Sequence, residues 1–386
     1  MTTLTGIAND RSGAAVSTTK PRVPFLDLRV TDEALRRDML DRVDSILTGG
    51  RLVLGPEVEE LERALAAYCG TRYAVGVGSG TGAIFVALKA LNLGPGDEVI
   101  TSCLSFVGTA NGIRLTGATP VFVDVAEDFS IDPALVEKAI TPRTKAIMPV
   151  QFTGRLCDMV SLRTIADKHG IYLVEDAAPA MGAELNGKRA GSFGIAGCIS
   201  FNPMKILNAC GEAGAVLTDD TDVYERLLPL RYNGVVNKEW CRDVSINSRL
   251  DTVQAAILLA RLPGLEGVIA KRRSIAARYN DAFSPFVRVP SEKPGYRDIY
   301  YTYSILTPQR DALSAYLAAA GIETKVQHPI LIPEHHAYLE SDMSRYPVGR
   351  RTTAEVLCLP AHENMSDEQV ELTVAEVKAF FKGGAR

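Results

Sequence analysis

Apolar and polar positions follow two rhythms along the chain, and these predict strands that alternate with helices. Short runs rich in β-branched residues, such as AVGVG and IYLVE, end at glycine or at an acidic residue. Stretches with apolar residues at helical spacing, such as TGAIFVALKAL and SLRTIADKHG, come next, and we expect the second helix to be capped by Ser161 and to stop at Gly170. Buried strands that alternate with amphipathic helices are typical of a mostly parallel sheet sandwiched by helices. The pattern therefore predicts an α/β fold.

A change of rhythm near residue 262 predicts a second, smaller unit. A long charged helix, LEGVIAKRRSIAARYNDAF, leads there to two shorter strands, YYTYSILT and ETKVQH, and to further helices. We predict a large α/β domain over residues 21–262 and a small C-terminal α+β domain over residues 263–386. Residues 1–20 lack the apolar segment of a signal peptide, and we interpret them as a disordered leader.

Composition narrows the class of protein. The chain has 386 residues, of which 46% are hydrophobic and 23% charged, as in ordinary globular proteins. The net charge of -4 offers no basic stripe, so we expect neither nucleic-acid nor membrane binding. No apolar run of the sequence approaches membrane-spanning length, so we expect no transmembrane helix. Seven scattered cysteines without a CxxC pair indicate reduced thiols, which predicts a cytoplasmic location.

One lysine occupies a position that needs a chemical reason. In CISFNPMKILNACGEAGAVLTDD, residues 198–220, Lys205 lies in the connection between two apolar, strand-like runs. A lysine buried there is costly unless it is paired, neutral or used covalently.

Other polar residues follow the carboxyl ends of the predicted strands, where open parallel sheets bind ligands. The glycine-rich run Ser79–Gly82 before a helix suits a phosphate, although it could be a plain strand-to-helix turn. Phe106 could be an aromatic face or core packing, and Asp176 a buried ion partner or a helix cap. Ser200 ends the strand that precedes Lys205.

As a set, these residues fit pyridoxal phosphate. This cofactor needs a lysine for a Schiff base, a carboxylate that keeps its pyridinium nitrogen protonated, and a phosphate anchor. An aromatic side chain often stacks on its ring. The strand-end residues therefore predict a pyridoxal phosphate site along one edge of the sheet.

Several sequence blocks resemble the DegT/DnrJ/StrS family of sugar aminotransferases, which have the fold type I architecture of aspartate aminotransferase. The resemblance runs from VPFLDL to the last helix and includes LGPEVEELE, GSGTGA, GDEVIT, VEDAA, SFNPMK and NSRLDTVQAAILLARL.

The resemblance implies a role for each matching position around the cofactor. Lys205 matches the Schiff-base lysine and Asp176 the partner of the pyridine nitrogen. The remaining cofactor contacts are Gly80 and Thr81 in the phosphate-binding turn, Ser200 as a second phosphate ligand and Phe106 against the ring.

Further positions concern the second subunit and the substrates. Asn247 matches an asparagine that reaches the cofactor phosphate of the other subunit, which implies a homodimer with shared active sites. Arg249 and His328 match positions near the amino-donor and sugar pocket, and Tyr303 is a further substrate-binding candidate. At Pro179 the chain departs from relatives, which often carry His or Gln there to contact the phenolic oxygen of the cofactor.

The implied activity is transfer of an amino group from L-glutamate, which leaves as 2-oxoglutarate, to a keto sugar nucleotide, with pyridoxamine phosphate as the intermediate cofactor form. Lys205 argues against the related dehydratases, which carry histidine there, because a histidine cannot form the Schiff base. INSRLDTVQAA resembles enzymes that act at C3 of UDP- or dTDP-linked 3-keto sugars in amino sugar biosynthesis. A C4 keto sugar, a cyclitol ketone and a non-catalytic protein that binds the cofactor stay open as alternatives.

Overall fold

The computed structural model describes residues 21–383, so the predicted leader over residues 1–20 lies outside the described residues. The helices are α1 (Glu33–Gly49), α2 (Pro56–Cys69), α3 (Gly80–Ala90), α4 (Val107–Leu115), α5 (Pro133–Ala139), α6 (Met159–His169), α7 (Thr221–Leu230), α8 (Thr252–Arg261), α9 (Leu265–Phe283), α10 (Arg310–Ala319), α11 (Pro347–Glu355) and α12 (Asp367–Phe381). The strands are β1 (Tyr73–Val77), β2 (Glu98–Ser102), β3 (Thr119–Val123), β4 (Thr144–Met148), β5 (Tyr172–Asp176), β6 (Glu184–Leu185), β7 (Lys188–Arg189), β8 (Ala196–Ser200), β9 (Gly214–Thr218), β10 (Val235–Val236), β11 (Trp240–Cys241), β12 (Tyr296–Arg297), β13 (Tyr303–Leu306) and β14 (Val356–Leu359).

The predicted parallel sheet is confirmed. Its order is β1-β9-β8-β5-β4-β2-β3. Pairing is parallel from β8 to β3, and β9 runs antiparallel to both of its neighbours, β1 and β8. Six strands therefore point the same way, and their carboxyl ends meet at one edge of the sheet.

Helices cover both faces of this sheet, because successive strand residues point to opposite sides. On one face, α3 and α7 pack on strand residues such as Val75 and Val174. On the other face, α2, α6 and α8 pack on residues such as Ile147 and Leu173. The apolar runs of the strands reflect this double burial.

One predicted helix start is wrong. We expected Ser161 to cap α6, but Asp158 is the N-cap, and its carboxylate accepts a hydrogen bond from the Ser161 backbone N–H at 3.0 Å. Aspartate and serine are both good N-caps, and the sequence carries both within three positions. The predicted stop at Gly170 is confirmed by its left-handed φ of 62°.

The smaller unit differs from its prediction in two strands. ETKVQH forms no strand, and its pairing is limited to a single bridge between Lys325 and Cys358. The strand that pairs with β13 is β14, Val356–Leu359, which the sequence pattern did not indicate. YYTYSILT does contain β13, which begins only at Tyr303.

Helix α9 contributes to two hydrophobic cores, and the domain boundary near residue 262 stays a prediction. Leu265 and Ile269, at the start of α9, pack in a core below the large sheet, whereas Tyr279 and Phe283 pack in the core of the smaller unit. Val23 also lies in that second core, although it precedes the large sheet in sequence. The smaller unit is therefore built from both ends of the described chain.

Contrary to expectation, one helical run is long and apolar enough to cross a membrane by length and composition alone. It extends over Thr252–Phe283 and comprises α8, a short 3-10 turn and α9. Its residues Ala255, Leu258 and Ile269 are buried in the core below the sheet. Packing in this core therefore accounts for part of the apolar composition of the run.

Candidate active site

The lysine lies in a loop that leaves the sheet at the end of β8. Strand β8 ends at Ser200, and the backbone N–H of Lys205 donates to the carbonyl of Asn202 at 2.8 Å, which closes a turn around Pro203. Lys205 is half-buried, not fully buried as its flanking apolar runs indicated. Its amine lies 4.4 Å from the centroid of the Tyr301 ring, and it has no salt bridge with any described residue.

Helix α8 anchors this loop through side chains. The Asn208 amide donates to the carbonyl of Pro203 at 2.7 Å, and Arg261 donates to the same Asn208 side chain. The backbone N–H of Cys210 donates to the side chain of Gln254 at 2.9 Å. The position of Lys205 thus depends on α8 as well as on β8.

Asp176 ends β5, beside β8, and is 4% exposed. Its Oδ2 accepts a hydrogen bond from the Thr109 hydroxyl at 2.6 Å, and its Oδ1 accepts one from the Ala178 backbone N–H at 3.2 Å. Burial raises the pKa of the Asp176 carboxyl, while these hydrogen bonds and the charge of Lys205 oppose the rise. A buried carboxylate therefore lies within electrostatic range of the Lys205 amine, and its role at a cofactor stays a prediction.

The predicted phosphate site consists of the run Ser79–Gly82 and of Ser200, and we call it the cradle. It lies between the start of α3 and the end of β8. A Cβ added at Gly80 would lie 2.7 Å from the Ser200 Cβ, so only glycine allows this close approach. The Ser79 hydroxyl caps α3 by accepting from the Gly82 N–H at 3.0 Å. Within the described chain the N–H groups of Gly80 and Thr81 have no acceptor, as expected at a helix start that can receive an anion.

Aromatic rings lie on one side of the candidate site around Lys205, which we call the cleft. Phe106, directly before α4, is 60% exposed, and its ring centroid lies 6.0 Å from that of His328. The Phe152 ring lies 5.5 Å from His328 on the other side. Burial, followed by repulsion from Lys205, lowers the pKa of His328 to about 4. His328 is therefore a neutral ring beside the lysine at neutral pH.

Asn247 and Arg249 lie against the cradle but at the protein surface. The Arg249 Nε donates to the Asn247 Oδ1 at 3.0 Å, and the guanidinium carbon lies 4.2 Å from the centroid of the Tyr232 ring. Between them, Ser248 packs on the cradle of its own chain, because a Cβ at Gly82 would lie 2.4 Å from the Ser248 Oγ. Asn247 itself is exposed.

Tyr303 is the predicted site residue that the structure contradicts. It is fully buried in the core of the smaller unit, where its hydroxyl donates to Asn280 at 2.8 Å. The cavity beside it has about 20 Å³, room for no more than one water. Tyr303 therefore offers no surface to a substrate.

Sequence reasoning missed two residues of the cleft, Thr109 and Tyr301. Thr109 lies three positions after Phe106, and a hydroxyl in the first turn of a helix that starts at the sheet edge was the available signal. Tyr301 lies in the same tyrosine-rich stretch as Tyr303. Strand β13 begins only at Tyr303, so the alternation of side chains along a strand does not indicate that Tyr301 is the tyrosine that faces the lysine. Pro179 lies in the turn after β5 and, as expected, has no donor group.

The arrangement fits pyridoxal phosphate. Four features meet at the carboxyl edge of one parallel sheet: a lysine amine that has no salt bridge within residues 21–383, a buried carboxylate, a glycine-lined helix start and an exposed aromatic ring. Lys205 would hold the aldehyde carbon, Asp176 the ring nitrogen, and Gly80, Thr81 and Ser200 the phosphate. Fold and site define a fold type I pyridoxal-phosphate-dependent transferase.

The chain belongs to the DegT/DnrJ/EryC1/StrS aminotransferase family, whose model matches residues 33–378. It is therefore a pyridoxal-phosphate-dependent sugar aminotransferase, and the predicted family, fold class and cofactor are confirmed.

Three curated relatives resemble the chain over almost all of its length. The "Pleiotropic regulatory protein" of Geobacillus stearothermophilus is 38% identical over 93% of this chain and 99% of the relative. The dTDP-3-amino-3,4,6-trideoxy-alpha-D-glucose transaminase of Streptomyces venezuelae is 39% identical over 93% and 96%. The UDP-2-acetamido-2-deoxy-3-oxo-D-glucuronate aminotransferase of Pseudomonas aeruginosa is 36% identical over 92% and 99%.

A solved structure also resembles this chain over almost all of its length. The crystal structure of S. venezuelae DesV in complex with a ketimine intermediate superposes with a TM-score of 0.91 at 38% identity. The match covers 94% of this chain and 99% of DesV.

Proposed function

We propose that this protein transfers an amino group from L-glutamate to C3 of a UDP- or dTDP-linked 3-keto sugar, for amino sugar biosynthesis. One observation carries the proposal. The amine of Lys205, which has no salt bridge with a described residue, and the buried carboxylate of Asp176 lie at the same edge of the sheet. Two of the relatives named above carry C3 amino or keto sugars in their names, which supports C3.

In this proposal Lys205 moves the proton. Bound pyridoxal phosphate supplies the electron sink that makes removal of the Cα proton of glutamate feasible. The Lys205 amine would accept and then return that proton, and the Asp176 carboxylate would keep the ring nitrogen of the bound cofactor protonated. Phe106 would lie against the cofactor ring, and Gly80, Thr81 and Ser200 would hold its phosphate.

Two residues are proposed to face the substrates. Arg249 carries a cation on the cradle side of the cleft, and glutamate and the sugar diphosphate are both anionic. His328 is neutral beside Lys205, so it binds a sugar hydroxyl without adding a charge that would repel the amine. Pro179 donates nothing, and the phenolic oxygen of the cofactor then depends on water or another residue.

We propose that the active unit is a homodimer whose partner is a second copy of this chain. The exposed apolar side chains Trp240, Val244 and Ile246 lie next to Asn247 in sequence, and Leu52 and Val53 are exposed beside the strand bridge to Asp251. Exposed apolar side chains in two segments, one of them next to Asn247 in sequence, suit an interface that completes two sites across a two-fold axis.

A cytoplasmic location is proposed because the described cysteines are all free and five are buried.

The test is a substrate panel on the glutamate-loaded enzyme. Glutamate should bleach the absorbance of the bound cofactor, and UDP- or dTDP-linked 3-keto sugars should restore it and give an amino sugar by mass spectrometry. Restoration only by 4-keto sugars or by a cyclitol ketone would contradict the C3 proposal. A protein that binds the cofactor but is not bleached by glutamate would be a binding protein, not an enzyme.

A further inference from the structure

A buried chain of hydroxyls leads to the carboxylate at the end of β5. The Thr109 Oγ1 lies 2.6 Å from the Asp176 Oδ2, and the Ser105 Oγ lies 2.9 Å from the Thr109 Oγ1. Thr109 is 2% exposed, and Ser105 and Asp176 are each 4% exposed. The three groups therefore interact with each other in the absence of competing bulk water.

The direction of these hydrogen bonds follows from the carboxylate. An ionised carboxylate has no proton, so Thr109 must donate to Asp176. The Thr109 oxygen then remains an acceptor, and Ser105 must donate to it. A hydroxyl that bonds to a charged oxygen at 2.6 Å makes a strong, charge-assisted bond, and the second hydroxyl polarises the first.

These bonds oppose the main cost of the site, which is the burial of a negative charge. Burial raises the pKa of Asp176, and the Thr109 hydrogen bond is the largest effect that opposes the rise. The Ala178 N–H and the charge of Lys205 oppose it less. Without Thr109, the buried carboxyl would shift towards its protonated form and lose an acceptor for a cationic partner.

The same bonds fix the orientation of the carboxylate. Oδ2 is held by Thr109 from α4, and Oδ1 by Ala178 from the turn after β5. Helix α4 also begins directly after Phe106, and Gly108 fits closely between the Phe106 ring and Thr81. The first turn of α4 thus determines both the position of the Phe106 ring and the orientation of the Asp176 carboxylate.

We propose that Thr109, supported by Ser105, is a positioning residue that keeps Asp176 ionised and aimed at the pyridine nitrogen of the cofactor. This inference rests on the proposed role of Asp176 at that nitrogen. It assigns Thr109 no direct contact with substrate.

The experiment compares two cofactors on the cofactor-free full-length protein. Pyridoxal phosphate has the ring nitrogen, whereas deazapyridoxal phosphate has a CH group in its place and is otherwise alike. Thr109→Val removes the hydroxyl and keeps the shape. We expect it to weaken binding of pyridoxal phosphate by about tenfold, the loss of one buried hydrogen bond to a charge, and to leave the affinity for the deaza analogue unchanged. Binding is followed by absorbance titration.

Matched variants separate positioning from packing. Thr109→Ser keeps the hydroxyl and should restore the selectivity for pyridoxal phosphate, and Ser105→Ala should weaken it in the same direction but less. Thr101→Val is the control, since Thr101 is a fully buried threonine of β2 that donates to the Met148 carbonyl at 2.8 Å. It should change both affinities equally or not at all. If the valine variant fails to fold, Thr109→Ala and Ser105→Ala carry the same comparison.

The outcomes distinguish this inference from the proposed function. Equal weakening of both cofactors by Thr109→Val would mean a general packing role and would overturn the inference. Asp176→Asn should abolish the selectivity for pyridoxal phosphate. If it does so while Thr109→Val does not, only the inference about Thr109 fails. If Asp176→Asn leaves the selectivity intact, the proposed role of Asp176 itself is wrong.

Discussion

Two adjacent acids at the end of β5 have different environments, because side chains alternate across a strand. Glu175 is fully buried, and its carboxylate accepts hydrogen bonds from the backbone N–H groups of Gly191, Phe193 and Gly194. The Gln151 side chain donates a fourth hydrogen bond to Glu175 at 3.1 Å, and these four donors leave Glu175 no spare capacity for a ligand. Asp176 faces the cleft with fewer donors, so it has an acceptor available for the cofactor.

Lys205→Ala is predicted to lower turnover by several orders of magnitude while the protein stays folded, because only a primary amine at this position can bond covalently to the cofactor and move the proton. Borohydride treatment followed by mass spectrometry should fix the cofactor to the peptide with Lys205 in the wild type and not in the variant. Lys188→Ala, at an exposed lysine of β7, is the control and should retain both properties. Wild-type fixation in the Lys205 variant would refute the assignment.

His328 is predicted to make the stability of the cofactor-free protein depend on pH. Its pKa is lowered from 6.5 to about 4 in the folded chain, first by burial and then by Lys205. Between these values the unfolded chain binds a proton that the folded chain does not, so stability falls as the pH decreases below 6.5. From pH 7 to pH 5 the wild type should lose about 1–2 kcal/mol more than His328→Asn.

Asparagine is the suitable replacement because His328 has a φ of 54°, which asparagine tolerates. The measurement is urea unfolding at both pH values. His336→Asn, at an exposed histidine, is the control and should keep the wild-type pH dependence. An unchanged pH dependence in His328→Asn would show that the folded protein accepts a proton at this ring.

At the scale of elements, one buried carboxylate joins the large sheet to α11. Asp124, directly after β3, is 2% exposed and accepts hydrogen bonds from the backbone N–H groups of Val348 and Gly349, both at 2.8 Å. These N–H groups belong to the first turn of α11, where a negative charge is favourable. Asp124 therefore caps a helix that is distant in sequence and fixes it to the sheet edge.

Asp124→Ala is predicted to destabilise the protein by about 2–4 kcal/mol, because it removes a buried charged acceptor and leaves helix N–H groups unpaired. Urea unfolding gives the free energy. Asp132→Ala, which removes the N-cap of the short helix α5, is the comparison and should cost about 1 kcal/mol. Equal costs for the two variants would contradict a connecting role for Asp124.

At the scale of the whole molecule, the cleft depends on contacts between distant segments. The lysine loop from β8 is anchored on α8, and His328 comes from the smaller unit. Ser248 packs against the cradle of its own chain, so closeness to that cradle alone does not require a partner for Asn247. Whether Asn247 serves its own site or that of a second copy is therefore a question for the assembly.

Mixing inactive Lys205→Ala and Asn247→Asp chains under exchange conditions is predicted to restore activity. In a heterodimer with shared sites, one site carries both defects and the other carries neither, so activity per heterodimer should approach about half of the wild type. Subunit exchange is verified by native mass spectrometry. Exchange without recovery would mean that each chain builds a complete site.

The sheet and the residues at the ends of its strands can be predicted from the amino-acid sequence, because they depend on local patterns. Apolar runs that end at Val77, Asp176 and Ser200 set where each strand stops, and parallel strands place their carboxyl ends at one edge. The close approach at Gly80 likewise follows from a glycine at a strand-to-helix turn. Lys205 was found for the same reason, as a charge between two apolar runs.

Which side chains meet across the cleft depends on long-range packing and does not follow from local patterns. Thr109 and Asp176 are 67 positions apart, and no local period predicts that their side chains point at each other. The choice of Tyr301 over Tyr303, the pairing of β13 with β14 and the place of Val23 in the second core also depend on long-range packing. The half-burial of Lys205 has the same cause, because a loop outside the sheet is less enclosed than the strands on either side of it.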